Sequence, residues 1–199
     1  MAYEHTVYFV SKNEYKLREI RDIWKSKVYY LESCSESIIE IQDSSIQKIV
    51  EAKAKEAYKR IFRPVLVEHS GLILPEYGNL PGGLTKIVWD SLTENGNHPE
   101  KFSELFAPSG STPAIAQSVV AYCDGRTVFS FIGEVHGNIV KVPRGKNGFA
   151  WDCVFEPIPN VGNLTFAEMN DFQKIECSMR SLAMRHFLDY LDKIESKEE

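Results

Sequence analysis

No G-x-x-x-x-G-K-[ST] run occurs in the chain, which excludes a P-loop on pattern. The four cysteines, Cys34, Cys123, Cys153 and Cys177, form no C-x-x-C pair, so their spacing does not point to zinc. Four cysteines in 199 residues do not make a disulfide scaffold either, and a reducing, cytoplasmic setting is the expectation. No apolar run approaches the roughly 18–20 residues that cross a bilayer. Met1-Ala2-Tyr3-Glu4-His5 has no basic stretch followed by an apolar one, so no secretory signal is expected. Positive charge is not in surplus: 23 Lys and Arg stand against 28 Asp and Glu, a net charge of −5. That balance disfavours nucleic acid and membrane surfaces as partners. A protein of this kind that handles a small polyanion does so with a few local cations. No repeat, low-complexity tract or linker interrupts the chain, so one domain over residues 1–199 is expected.

Apolar periodicity divides what is present. Residues 6–10 (TVYFV) read as a short buried strand, stopped by the cap chemistry of Ser11-Lys12-Asn13. Residues 14–25 have helical spacing, with Leu17, Ile20 and Trp24 on one side. Residues 28–31 form a second strand, and Ser44-Ser45 caps a helix over 46–61. Residues 64–68 (PVLVE) are a third strand ending in a carboxylate, and 69–85, with four glycines and two prolines, is expected to be mostly loop. Residues 86–92 and 99–106 read as short helices. Residues 114–122 and 127–135 read as strands joined at Asp124-Gly125, a hairpin signal, with a further strand after Gly137. A turn-rich loop at 143–148 follows, then an amphipathic helix over 178–194 and a frayed charged tail at 196–199. Strands alternating with helices and then a hairpin region give a mixed α/β class, a twisted sheet carrying helices.

Three constellations carry chemistry. Ser11, Asn13 and Lys16 lie where a strand becomes a helix, whose unpaired N–H groups can cradle an anion. Taken alone, the same spacing is the ordinary helix cap. Glu40 and Glu68 each follow apolar residues, and two carboxylates from separate segments suit Mg²⁺, which takes its other ligands from water and phosphate. Taken alone, Glu40 is a surface strand end, while Glu68, followed by His69-Ser70-Gly71, is open to either reading. Phe149, Trp151 and Asp152 place two aromatics and an acid after a turn, a set that can stack and read a base. Without further context Phe149 and Trp151 read first as the core of a strand.

Together these segments resemble the inosine triphosphate pyrophosphatase family, the house-cleaning enzymes for non-standard purine nucleotides. The resemblance runs in order from Val7 to about Leu191. It includes Ser11, Asn13, Lys16 and Glu19 (S-x-N-x-x-K-x-x-E), Ser45-Ile46-Gln47-Lys48, and Val65-Leu66-Val67-Glu68 before an x-S-G step. It continues through Leu80-Pro81-Gly82-Gly83 with Lys86, Pro143-Arg144-Gly145, and Gly148-Phe149-Ala150-Trp151-Asp152. It closes with Thr165-Phe166-Ala167-Glu168-Met169, Lys174 and Ser178-Met179-Arg180.

The resemblance implies an elongated, two-lobed α/β fold, with a central twisted mixed sheet flanked by helices and a nucleotide cleft between the lobes. It implies a homodimer that splits a nucleoside triphosphate such as ITP, dITP or XTP between its α- and β-phosphates, with Mg²⁺, or alternatively Mn²⁺, as cofactor. Ser11, Asn13, Lys16 and Lys48 would hold the triphosphate and Lys86 would reach it. Glu40 and Glu68 would carry the metal. Phe149, Trp151, Asp152, Lys174 and Arg180 would form the base pocket. Three positions depart from the family pattern. His69 stands where an Asp that helps activate water is usual, Met179 replaces the His of S-H-R, and Ala150 replaces a Gly. An imidazole titrates near neutral pH, so His69 suits a general base or water-orienting group, and the alternative is that it only fills space beside Glu68. Met179 implies altered or relaxed base preference. Competing readings are a pyrophosphatase for modified pyrimidine or other damaged nucleotides, and a nucleotide sensor with weak turnover.

Overall fold

The structure is a computed structural model describing residues 5–92, 97–159 and 162–198. The Met1-Ala2-Tyr3-Glu4 start and Glu199 lie outside the described residues. Among the described residues seven strands form one mixed sheet. β1 (His5–Val10) is parallel to both β2 (Tyr29–Cys34) and β3 (Val65–Leu74). Parallel neighbours need crossovers, which α1 (Glu14–Ile23) and α2 (Ile46–Ile61) supply. β3 then runs antiparallel to β5 (Thr112–Cys123), β5 to β6 (Val128–Ile139), and β6 to β7 (Phe155–Pro157). The short β4 (Leu80–Gly82) covers the far end of β3. Beyond it come α3 (Thr85–Ser91) and α4 (His98–Phe106), and the chain closes with α5 (Asp171–Cys177) and α6 (Met179–Glu198).

Side-chain alternation along β3 assigns its neighbours to two compartments. Val65 and Val67 pack with Val50, Ala54 and Ala57 of α2, whereas Leu66 packs with Ile20 of α1 and Ala183 and Phe187 of α6. A third apolar cluster lies at the far end of β3, where Leu72 and Leu74 meet Trp89, Phe102, Phe155 and Phe166. Among the described residues no helix is long and apolar enough to cross a membrane.

The mixed α/β class stands, with several local differences. β3 does not end at Glu68 but continues through His69, Ser70 and Gly71 to Leu74, because β5 pairs with it along that length. The hairpin at Asp124-Gly125 forms, with Asp124 Oδ1 accepting from the Arg126 and Thr127 amides. Gly137 does not separate two strands, since β6 runs through it to Ile139, and the next strand is β7 at Phe155–Pro157. Phe149 and Trp151 are not in a strand: residues Ala150–Cys153 form a 3₁₀ turn. The tail is not frayed from Ser196, because α6 continues to Glu198.

Candidate functional site

A cleft of about 430 Å³ opens at the end of β1 and against β3, and brings together residues from distant parts of the sequence. Ser11, Asn13 and Lys16 enter it from the start of α1, Glu40 from the loop before α2, Lys53 from α2, His69 and Ser70 from β3, Lys86 from α3, and Phe149 and Trp151 from the 3₁₀ turn. Lys48, Glu68, Asp152, Lys174 and Arg180 are not on its wall. Lys48 is largely exposed and pairs with Asp43, 3.5 Å away. Lys86 is also exposed and pairs with Asp90.

The helix start is built as its sequence suggests. Asn13 Oδ1 accepts from the Lys16 amide at 3.1 Å and caps α1, and Ser11 Oγ accepts from the Asn13 amide at 3.1 Å. The cap and the cradle are thus one construction, and Lys16 adds a cation one turn in. Lys53 is the cation that the sequence reading missed. Its Nζ lies 2.6 Å from Glu40 Oε1 and donates to the Glu68 carbonyl at 3.4 Å. The signal was present: Ile46, Ile49, Val50, Lys53, Ala54 and Ala57 form the buried stripe of α2, and a lysine on such a stripe needs a partner.

His69 faces the same compartment as Lys53. Its Nε2 lies 2.9 Å from the Gly83 carbonyl, which can only accept, so Nε2 carries a proton and Nδ1 is the basic nitrogen. Nδ1 sits 3.6 Å from Glu40 Oε2, long for a hydrogen bond yet close enough to act electrostatically. The Leu80-Pro81-Gly82-Gly83 segment presents that carbonyl. The Gly83 amide donates to the Ser44 carbonyl at 2.7 Å, and Thr85 Oγ1 donates to the Gly82 carbonyl at 2.6 Å. Gly82 has φ +55° and abuts the Ser44 carbonyl, leaving no space for a Cβ. The Glu40 carboxyl is held down to about 2, chiefly by hydrogen bonding to His69 in the form that carries a proton on Nδ1 as well as Nε2, against the opposing effect of burial and with further help from Lys53.

Glu68 points the other way, toward α1 and α6. Its side chain is fully buried. Oε1 accepts from Ser118 Oγ at 2.7 Å and from Arg180 Nε at 3.3 Å, and Oε2 lies 2.6 Å from Lys16 Nζ. Burial alone would raise this carboxyl, but Arg180 and Lys16 hold it below the usual carboxylate range. Lys16 is itself lowered by burial, which together with Arg180 and Lys53 outweighs the pull of Glu68. Beyond Arg180 the network continues. Glu19 pairs with Arg180 and, at 2.7 Å, with Lys174, whose Nζ also lies 2.7 Å from Asp152 Oδ2. Three acids and three bases therefore neutralise one another in the interior. Asp152 accepts from the Phe149 amide at 2.8 Å, and its carboxyl is raised by burial despite Lys174. Lys174 and Arg180 lie 5.2 and 5.6 Å from the Phe149 ring centroid. Met179 is buried in the apolar cluster beside Phe155 and Phe166 rather than on the cleft wall.

This geometry tests the expected metal pair. Glu40 meets the cleft with a third of its side chain exposed, and a single carboxylate fits a hard cation that takes its other ligands from water and phosphate. Glu68 does not line the cleft wall beside Glu40: its Oε1 accepts from Ser118 and Arg180, and its Oε2, which has no hydrogen-bond partner among the described residues, lies against the Lys16 cation at 2.6 Å. Among the described residues no group of three or more His, Cys, Asp or Glu gathers as a metal cage.

The Ham1 family profile matches residues 7–190. An inosine triphosphate pyrophosphatase of Trypanosoma cruzi is 36% identical over 90% of this chain and 89% of its own length. A dITP/XTP pyrophosphatase of Hyperthermus butylicus is 31% identical over 93% and 94%. A Ham1 protein of Coxiella burnetii superposes with a TM-score of 0.78 over 94% of this chain and 98% of that one, at 23% identity, which speaks for the fold. Profile and relatives agree, and the fold is consistent with them: the chain belongs to the Ham1 family.

Proposed function

We propose that this protein is a nucleoside-triphosphate pyrophosphatase, acting on non-standard purine nucleotides such as ITP, dITP and XTP and releasing the monophosphate and pyrophosphate. The observation that carries this reading is the single cleft that holds a capped helix start, Lys16 and Lys53 together with Phe149. Cations and helix amides suit a triphosphate, and the aromatic wall suits a base. The names of the relatives support the same substrates.

The proposed roles follow from the contacts. Ser11, Asn13, Lys16 and Lys53 neutralise and position the phosphates, which is most of what phosphoryl chemistry asks of a protein. Lys86 sits on the rim and approaches from α3. Glu40 is the carboxylate that would hold Mg²⁺, a metal that polarises phosphate oxygens and lowers the pKa of bound water. His69 Nδ1, next to Glu40, takes the proton of the attacking water or orients it. Glu68, in this reading, serves as the buried anchor of Lys16 and Arg180 rather than as a metal ligand. Asp152, Lys174 and Arg180 act from behind Phe149, fixing the ring that a base meets. Met179 offers the base no polar contact, which supports a relaxed preference among purines.

The test is direct. Purified protein with Mg²⁺ and ITP is expected to release pyrophosphate and IMP in equal amounts. Release of orthophosphate, or no release with ITP, dITP and XTP, would overturn the assignment.

A further inference from the structure

α1 carries an aromatic, Tyr15, that reaches the Phe149 ring of the cleft. Tyr15, Arg18 and Glu19 occupy one face of that helix, at i, i+3 and i+4. Glu19 holds Lys174 and Arg180, the two cations beside the Phe149 ring. Tyr15 stacks on Phe149 itself, with centroids 5.2 Å apart and planes 19° from parallel. Arg18 lies 5.8 Å from the Tyr15 ring centroid. Half of the Tyr15 surface is exposed, so the ring can swing on its helix. We propose that Tyr15 is a specificity-determining residue, the second aromatic face of a clamp that closes on a purine opposite Phe149.

This inference rests on the reading of Phe149 as the ring that stacks the base. A planar base held between two rings needs two van der Waals layers, about 7 Å between planes, where the present stack needs one, so Tyr15 must retreat by about 3.5 Å. The single Tyr15–Phe149 stack is then exchanged for two stacks on the base. That exchange favours a bicyclic purine, which covers both rings, over a smaller pyrimidine. It also favours no particular purine, because stacking does not read a base edge.

The experiment is calorimetric binding of IMP and UMP to the full-length protein and its variants. Tyr15→Ala and Tyr15→Leu are each expected to weaken IMP binding about tenfold, the size of one base–aromatic stack. Tyr15→Phe is expected to stay within about twofold of wild type, and the loss for UMP to be smaller than for IMP. The Leu variant keeps the bulk and the helix, so a loss there reports stacking and not folding. Unchanged or tighter IMP binding in the Ala and Leu variants would overturn the clamp and make Tyr15 a plug. Turnover of ITP by the wild type is measured separately. Its absence, with Tyr15-dependent IMP binding intact, would sink the enzymatic reading and leave the clamp standing.

Discussion

Replacing Glu68 by Gln removes a charge whose side chain is fully buried between Lys16 Nζ at 2.6 Å and Arg180 Nε at 3.3 Å. Arg180 keeps Glu19, but Lys16 is left facing a neutral amide, and the six-charge interior gains a net positive charge. Stripping one partner from a buried pair costs about 3–5 kcal/mol. In a chain of this length that lowers Tm by about 6–20 °C. Lys16→Met is milder, because Glu68 retains Arg180 and Ser118, and a cost of about 1–3 kcal/mol is expected. The double variant restores neutrality. Its loss should fall short of the sum of the single losses by about 1–3 kcal/mol, the coupling expected of residues in contact. Urea unfolding at pH 7, with equal m-values for all four proteins, reads each term. A Glu68→Gln loss below about 1 kcal/mol, or additive single losses, would refute the claim that these two groups form the buried half of the site.

Other expectations concern the cleft. Lys53→Ala should raise the KM for ITP about tenfold or more, while Lys48→Ala should change it less than about twofold, because only Lys53 is on the wall; steady-state kinetics of the two side by side decides, and equal effects would refute the placement. His69→Ala should lower kcat about 10²-fold or more, the contribution of a positioned base, and His69→Asp should recover part of it; an unchanged rate in the Ala variant refutes a role for Nδ1. Glu40 is ionised in the native state down to about 2, below its unfolded value of about 4.3, so its contribution is complete above that unfolded value and lost as pH falls through the native one. Urea midpoints from pH 7 to pH 3 should therefore fall less steeply in Glu40→Gln than in wild type, and parallel curves would count against the His69–Glu40–Lys53 contact.

The elements were legible where local pattern and tertiary need agreed. β1, the Asn13 cap and the Ser45 cap follow from apolar spacing and side-chain oxygens at the right offsets. β3 was cut short because Glu68-His69-Ser70-Gly71 looks like surface. Its polar groups are instead satisfied inside by Ser118, Arg180, Gly83 and the pairing with β5, none of which is local. α5 escaped because seven residues carry too little periodicity, although its capping box, Asn170 with Gln173, was in the sequence. The cleft residues were legible as a set through the resemblance. Which of them face the cleft was not, since that depends on strand alternation and on which cations pair inside. Lys53 and Arg180 show a usable rule: each is a buried cation on its helix, and each is half of an ion pair, Lys53 with Glu40 at the cleft and Arg180 with Glu68 in the interior.

The alternation along β3 has a consequence for how such a site changes over time. Position 68 answers to the interior, where six charges must sum to zero, and few residues satisfy it. Position 69, one peptide away, answers only to the cleft and to a single carbonyl of Gly83. The side chain at 69 can therefore change without disturbing the charge balance of the interior, and chemistry can drift at one position while its neighbour stays fixed.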